Sequence, residues 1–205
     1  MEPTAIAQAY DDIAERFHAA RSRTVGVDYA DRFAALLPPR GDVLELGCGT
    51  GIPLTARLVA RGFDVHGFDA SPRMIDLARL NVPGATFDVA DMTRWKPSHP
   101  YDGVFAWDSV FHLMPSAQGA VIGMLGRALR TNGVALLTVG GRAGEISSAM
   151  FERTFYYSAL TVDEYQMTFH QHGLRLVFRE MDQPDANAHI VLCARKAEQA
   201  APDNR

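Results

Sequence analysis

The chemistry of this chain centres on one run, Val43-Leu44-Glu45-Leu46-Gly47-Cys48-Gly49-Thr50-Gly51, with helix-like sequence following from Ile52. Glycine lets a backbone turn sharply and approach a ligand that a Cβ would repel. The Gly-x-Gly-x-Gly spacing is one residue tighter than the Gly-x-Gly-x-x-Gly that cradles a dinucleotide pyrophosphate. Alone, the run also suits a purely structural strand-to-helix turn. Three acidic positions at the ends of later apolar runs argue for a ligand. Asp69 closes Val65-His66-Gly67-Phe68, where a carboxylate can accept hydrogen bonds from both ribose hydroxyls of an adenosine. Asp91, in Ala90-Asp91-Met92, is placed to accept from an adenine amino group while Met92 packs on the ring. Asp108-Ser109 ends the run Tyr101-Asp102-Gly103-Val104-Phe105-Ala106-Trp107.

Beyond that loop the candidates thin out. His112 follows the fourth strand, and a neutral imidazole near pH 7 suits proton removal from a hydroxyl or amine. It serves equally as a structural histidine capping the next helix. Asp108 is a candidate base or a holder of a substrate amine, and also a candidate helix N-cap. His170 and His172 stand two apart on a helix and point in different directions, a poor chelate without a third ligand, so no metal is assigned. His189 opens the last strand and reads as an edge-strand surface residue. Cys48 reads as a small buried residue in the loop rather than a nucleophile.

Elements that could hold these residues in place alternate along the chain. Strand-like runs cover 43–46, 63–68, 85–89, 103–107, 134–139, 174–179 and 189–194; helix-like segments cover 52–61, 71–80, 117–129 and 161–172. Ser71-Pro72 is an N-cap with proline at the first helical position, and Thr161 with Glu164 makes a capping box. Gly62, Gly133 and Gly173 stand where helices should stop. Such alternation predicts a parallel sheet covered on both faces, with the acidic positions along its carboxyl edge. The last two strands lack a helix between them, because 182–187 is turn-like, so they should form an antiparallel hairpin at one edge. Two segments fall outside the alternation, residues 4–20 with 25–37, and a loop over 140–154; both are candidate lids. Tyr10, Ile13, Ala14 and Phe17 form one stripe of the first, near Arg16 and Arg21. Phe151, Phe155, Tyr156 and Tyr157 cluster beside the second, as a small core under a lid or as a pocket. Gly140-Gly141-Arg142-Ala143-Gly144 reads as a hinge, with Arg142 meeting an anion or merely solvated.

A length of 205 residues predicts one domain with a full core. Net charge −4 without a Lys/Arg block suits neither a nucleic-acid backbone nor an anionic membrane surface. Two cysteines supply neither a disulfide framework nor a cysteine-based zinc site. No window is apolar enough to span a membrane, and the start has no signal-peptide pattern. A cytoplasmic protein is expected.

Across residues 5–196 these features together resemble the class I S-adenosylmethionine (SAM)-dependent methyltransferases. Residues 45–51 look like the family's first motif and Asp69 its ribose-binding acid. Residues 90–92 match its adenine-contacting stretch, and 101–113 its fourth motif. The resemblance implies a Rossmann-like α/β fold, a seven-stranded mostly parallel sheet in the order 3-2-1-4-5-7-6 with the last strand antiparallel. It implies a cofactor site from Glu45, Gly47, Cys48, Gly49, Gly51, Asp69, Ala70, Met74, Ala90, Asp91, Met92 and Trp107. Tyr10, Phe17 and Arg21 of a lid helix would close over the cofactor. His112 and Asp108 would border the methyl group; Phe111, Arg142, Phe155, Tyr156 and Tyr157 would face the acceptor. The expected organisation is one domain over 1–197, with lid helices over 1–37, a substrate-side insertion over 140–160 and a flexible tail over 198–205. The expected activity is methyl transfer from SAM to a small molecule, leaving S-adenosylhomocysteine, by a monomer or homodimer.

Other readings differ in residues. A nicotinamide oxidoreductase has the wrong glycine spacing here, and the chain has no Tyr-x-x-x-Lys pair. Trp107-Asp108-Ser109-Val110 stands where enzymes acting on adenine or amide nitrogens carry Asn/Asp-Pro-Pro-Tyr/Phe. A protein side chain as acceptor stays open, as does a SAM-binding sensor, partner subunit or repurposed isomerase, because function lives in the site rather than the fold.

Overall fold

Apolar strands that must be buried on both faces dictate the architecture. In the computed structural model, which describes residues 3–183 and 188–198, seven strands form one sheet. In chain order its strands are β1 (Asp42–Leu46), β2 (Asp64–Asp69), β3 (Thr86–Val89), β4 (Tyr101–Ala106), β5 (Leu129–Gly140), β8 (Leu174–Met181) and β9 (His189–Lys196). A separate hairpin pairs β6 (Gly144–Met150) with β7 (Arg153–Ala159). The sheet order is β3-β2-β1-β4-β5-β9-β8, with β9 antiparallel to both neighbours. This is the order expected from sequence once the hairpin's two strands enter the numbering.

Alternation along β1 explains the layers. Leu44 and Leu46 join the core beneath α5 (Pro115–Ala128) and α6 (Val162–Gln171). Val43 points the other way, into the core under α2 (Val27–Ala34) and α3 (Leu54–Ala60). Helix α4 (Pro72–Asn81) covers the β2–β3 side with Ile75 and Ala78. Helix starts follow their caps. Ser71 Oγ accepts from Met74 N–H at 3.1 Å, and Thr161 and Glu164 exchange both capping-box hydrogen bonds.

Three expectations are corrected here. Residues 25–37 are not a lid, because α2 buries Ala30 and Phe33 in the sheet core with Val43 and Leu58. The lid loop over 140–154 is instead most of a β-hairpin. Ile146 pairs with Tyr157 and Ser148 with Phe155, so the aromatic run supplies one strand and the polar run its partner. Helix α5 ends at Ala128, before Gly133, and β5 starts at once. Asn132 takes the left-handed conformation (φ 65°), while Gly133 serves close packing, since a Cβ there would lie 3.0 Å from the Asp102 carbonyl oxygen.

Helix α1 (Pro3–Ala20) packs beside the sheet rather than on it. Ile6, Ala9 and Ile13 form a separate small core with Phe155 and Tyr156 of β7. Helix α1 and the hairpin thus make a cap over the carboxyl ends of the strands. Most of the predicted turn, 184–187, and the tail from 199 onward lie outside the described residues.

Candidate active site

The glycine turn sets the floor of the site. Gly47 (φ 66°) and Gly49 (φ 55°) take left-handed conformations that disfavour other residues. A Cβ at Gly47 would lie 2.4 Å from Ser109 Cβ, whereas above Gly49 nothing among the described residues comes within 4 Å. The first glycine therefore lets two strand ends meet, and the second leaves space for a ligand. Asp69, ending β2, receives Gly49 N–H at 3.0 Å on one oxygen and Ser71 N–H at 2.9 Å on the other. Each oxygen keeps a lone pair for a further donor. Burial raises this carboxyl's pKa against those stabilising amides. Glu45, buried under the floor, accepts from Thr55 Oγ1 of α3 at 2.7 Å, and burial pushes its pKa up to about 8.

A cleft that opens to solvent at its mouth lies over this floor. Among the residues proposed from sequence, Glu45, Gly47, Cys48, Gly49, Asp69, Ala70, Met74, Ala90, Asp91, Met92 and Trp107 line it. Tyr10, Phe17 and Arg21 line it from the cap, and Asp108 and His112 from the loop after β4. Gly51 does not; it packs against Val82 and Ala78 on the α4 side. The five acceptor-side candidates also stand outside the lining. Phe155 and Tyr156 belong to the cap core, and Arg142 is exposed in the turn before β6. Phe111 and Tyr157 pack against His112, with ring centroids at 4.9 and 4.8 Å.

The loop after β4 gathers the polar groups. Asp108 is not a helix cap: its φ is 51°, a strained value for a residue with a Cβ, and its N–H donates to Thr138 Oγ1 at 2.7 Å. Its carboxylate receives Arg21 Nη2 at 2.8 Å. His112, in a short 3₁₀ turn (Val110–His112), is 7% exposed. Its Nδ1 lies 2.9 Å from the Tyr156 carbonyl oxygen and its Nε2 2.8 Å from Tyr10 Oη. Burial pulls its pKa down to about 4, so it is neutral at pH 7.

Sequence reasoning misplaced a further residue here. His189 is not on an edge, because β9 runs inside the sheet between β5 and β8. Its ring stacks on Phe111 (centroids 5.0 Å, 19° between planes), and its Nδ1 lies 3.1 Å from Asp182 Oδ2 and 3.7 Å from Asp108 Oδ1. The signal was the pairing of β9 with β5, which sets Gly140 opposite His189 and so brings the strand's first residue to the cleft edge.

A glycine-floored cleft at the carboxyl ends of a Rossmann-like sheet, with a carboxylate ending the second strand, defines a class of α/β proteins that bind nucleoside-containing ligands. Within that class the chain belongs to the methyltransferase domain family, whose model matches residues 15–182. A trans-aconitate 2-methyltransferase of Rhizobium etli is 32% identical over 112 residues, 54% of this chain and 43% of that protein. The match thus takes in under half of that relative's length. The CcbJ methyltransferase of Streptomyces caelestis superimposes with a TM-score of 0.78 at 19% identity, covering 97% of this chain and 100% of that one. SAM-bound CalS10, an amino pentose methyltransferase of Micromonospora echinaspora, gives 0.69 at 20% identity over 91% and 96% of the two chains. Among the described residues no helix is long and apolar enough to cross a membrane.

Proposed function

We propose that this chain is a SAM-dependent methyltransferase acting on a small molecule. The observation that carries the reading is the juxtaposition of open space over Gly49 with the Asp69 carboxylate beside it. The same cleft fits SAM in two further respects. Met74, Ala90 and Met92 give an apolar slot for a purine, and Trp107 Nε1 is a buried donor with no partner among the described residues. When bound, SAM supplies a methyl group on an electron-poor sulfonium sulfur. Asp69 would hold the ribose, the 47–49 backbone the adjoining chain, and Asp91 with Met92 the adenine. The cap excludes water and holds the acceptor in line, which by itself contributes much of the rate.

The acceptor is a small molecule rather than a nucleic acid or a membrane lipid, in keeping with the trans-aconitate and amino pentose methyltransferases the chain resembles and with its acidic charge. The working unit is a monomer or homodimer of one cytoplasmic domain over residues 1–197, with helix α1 as the lid over the cofactor and the insertion over 140–160 on the acceptor side; α2, in the core with Val43 and Leu58, belongs to the body. Calorimetric titration of SAM against NAD, followed by a metabolite screen for S-adenosylhomocysteine formation, tests the reading. SAM binding with turnover of a metabolite is expected. Binding of NAD alone would overturn the cofactor, and SAM binding without turnover of any acceptor would overturn the methyl transfer.

A further inference from the structure

The tautomer of His112 is fixed by its neighbours. A carbonyl oxygen only accepts, so Nδ1, 2.9 Å from the Tyr156 carbonyl, carries the ring's proton. Nε2 then presents its lone pair, and the group facing it at 2.8 Å is the Tyr10 hydroxyl. Tyr10 must therefore donate to His112. Its proton points away from any ligand, and its oxygen keeps lone pairs for a donor in the cleft it lines. Charge in the cleft runs the same way. Among the described residues, Asp69, Asp91 and Asp108 line it against one guanidinium, Arg21, which is already bonded to Asp108.

Resting on the methyltransferase reading, we propose that Tyr10 and His112 form a two-residue proton relay for an acceptor that attacks through a hydroxyl or an amine. The acceptor's lone pair forms the new bond to the methyl carbon, and the carbon–sulfur bond of the methyl donor breaks with its electron pair remaining on sulfur. The acceptor's proton passes to Tyr10 Oη as the proton of Tyr10 passes to His112 Nε2. The positive charge lost at sulfur reappears on the imidazole, so the cleft's net charge is conserved. The groups facing that ring are Tyr10 from α1, Tyr157 from β7, Asp108 from the loop after β4, and His189 from β9. Asp108 favours the imidazolium and His189 opposes it. A carboxylate acceptor has no proton to lose and needs no such relay, so the inference separates this chain from its trans-aconitate relative.

Nitrogen NMR of histidine-labelled protein, with S-adenosylhomocysteine bound, reads the geometry without turnover. The relay requires a neutral His112 protonated on Nδ1 from pH 8 down to pH 5, with Nε2 shifting in Tyr10→Phe and Nδ1 unmoved. A proton on Nε2, or an imidazolium at pH 7, overturns it. Turnover is read with a panel of phenols, amines and trans-aconitate by S-adenosylhomocysteine formation. The expected acceptors are phenols or amines, with kcat at saturating SAM falling tenfold to a hundredfold in Tyr10→Phe, beyond the few-fold loss of SAM affinity that a missing cap link brings, and no inflection near pH 6.5. Preferential methylation of trans-aconitate, or full kcat in Tyr10→Phe, overturns the relay while leaving the methyltransferase reading intact. Absence of SAM binding overturns that reading instead.

Discussion

The floor and the cap of the cleft are built on different terms. The floor consists of strand ends continuous with the two large cores, and Leu46 and Phe68 behind it are fully buried. The cap has its own small core, from Ile6, Ala9, Ile13, Phe155 and Tyr156. Polar links at its margin tie it to the body. Tyr10 reaches His112, Arg21 reaches Asp108, His18 meets Thr50 at 3.1 Å, and Glu15 pairs with Arg73. Local stability follows buried apolar contact, so the cap should open at lower free energy than the floor. Under the proposed function this divides the work: the rigid part holds the cofactor, and the weakly held part governs access.

Splitting the cap core is the severest way to break that contrast. Phe155→Ala removes a fully buried ring, a change that typically costs about 3–5 kcal/mol. Hydrogen exchange should accelerate over residues 3–20 and 144–159 while β1, β4 and β5 keep their protection. Equal acceleration in the main sheet would mean that cap and floor unfold as one unit. Next in size is the floor itself. Asp69→Ala loses ribose contacts worth about 1.5–3 kcal/mol each and also frees the Gly49 amide. SAM affinity should fall at least tenfold by calorimetry; unchanged affinity would remove the glycine turn from the cofactor site.

Arg21→Ala sharpens the comparison more gently. The pair with Asp108 is about 80% buried on both sides, yet it sits at a margin, and about 1 kcal/mol is expected. SAM should dissociate a few-fold faster, with the difference shrinking as salt rises; a salt-independent effect would point to packing instead. Glu45 adds an effect that is absent at low pH and grows as pH rises. Its pKa is raised to about 8, so the fold favours the neutral acid. Stability fully present below the usual value of 4.5 is lost as pH climbs through 8. Glu45→Gln should therefore melt higher than the parent at pH 9 and show no advantage at pH 4. Parallel melting curves across that range would place the carboxyl in water.

The floor was legible in the sequence because its signals are local. Gly47, Gly49, Asp69 and the Ser71 cap each declare themselves within a few residues, and strand order followed from family resemblance. The cap was only half legible. Its helix showed as an apolar stripe, but the hairpin did not, because Gly140 to Gly144 reads as a hinge and Ile146-Ser147-Ser148-Ala149 has little strand character alone. Its strand identity comes from pairing with Phe155 and Tyr157. The edge-strand reading of His189 and the helix-cap reading of Asp108 failed for a related reason. The meeting of these two residues depends on β9 entering the sheet beside β5, and the strained backbone of Asp108 has no sequence signature.

One contact of the cap reaches past the cleft. Asp11 of α1 takes hydrogen bonds from Ser71 Oγ and, at 2.9 Å, from Arg73 N–H, completing the first turn of α4 from another helix. The cap thus finishes its neighbour's backbone whenever it is shut. When it lifts, the Arg73 amide passes from carboxylate to water, while the rest of α4 keeps its internal bonds. That single amide resonance is a native gauge of how far the site stands open, readable in nitrogen-labelled protein without a substrate.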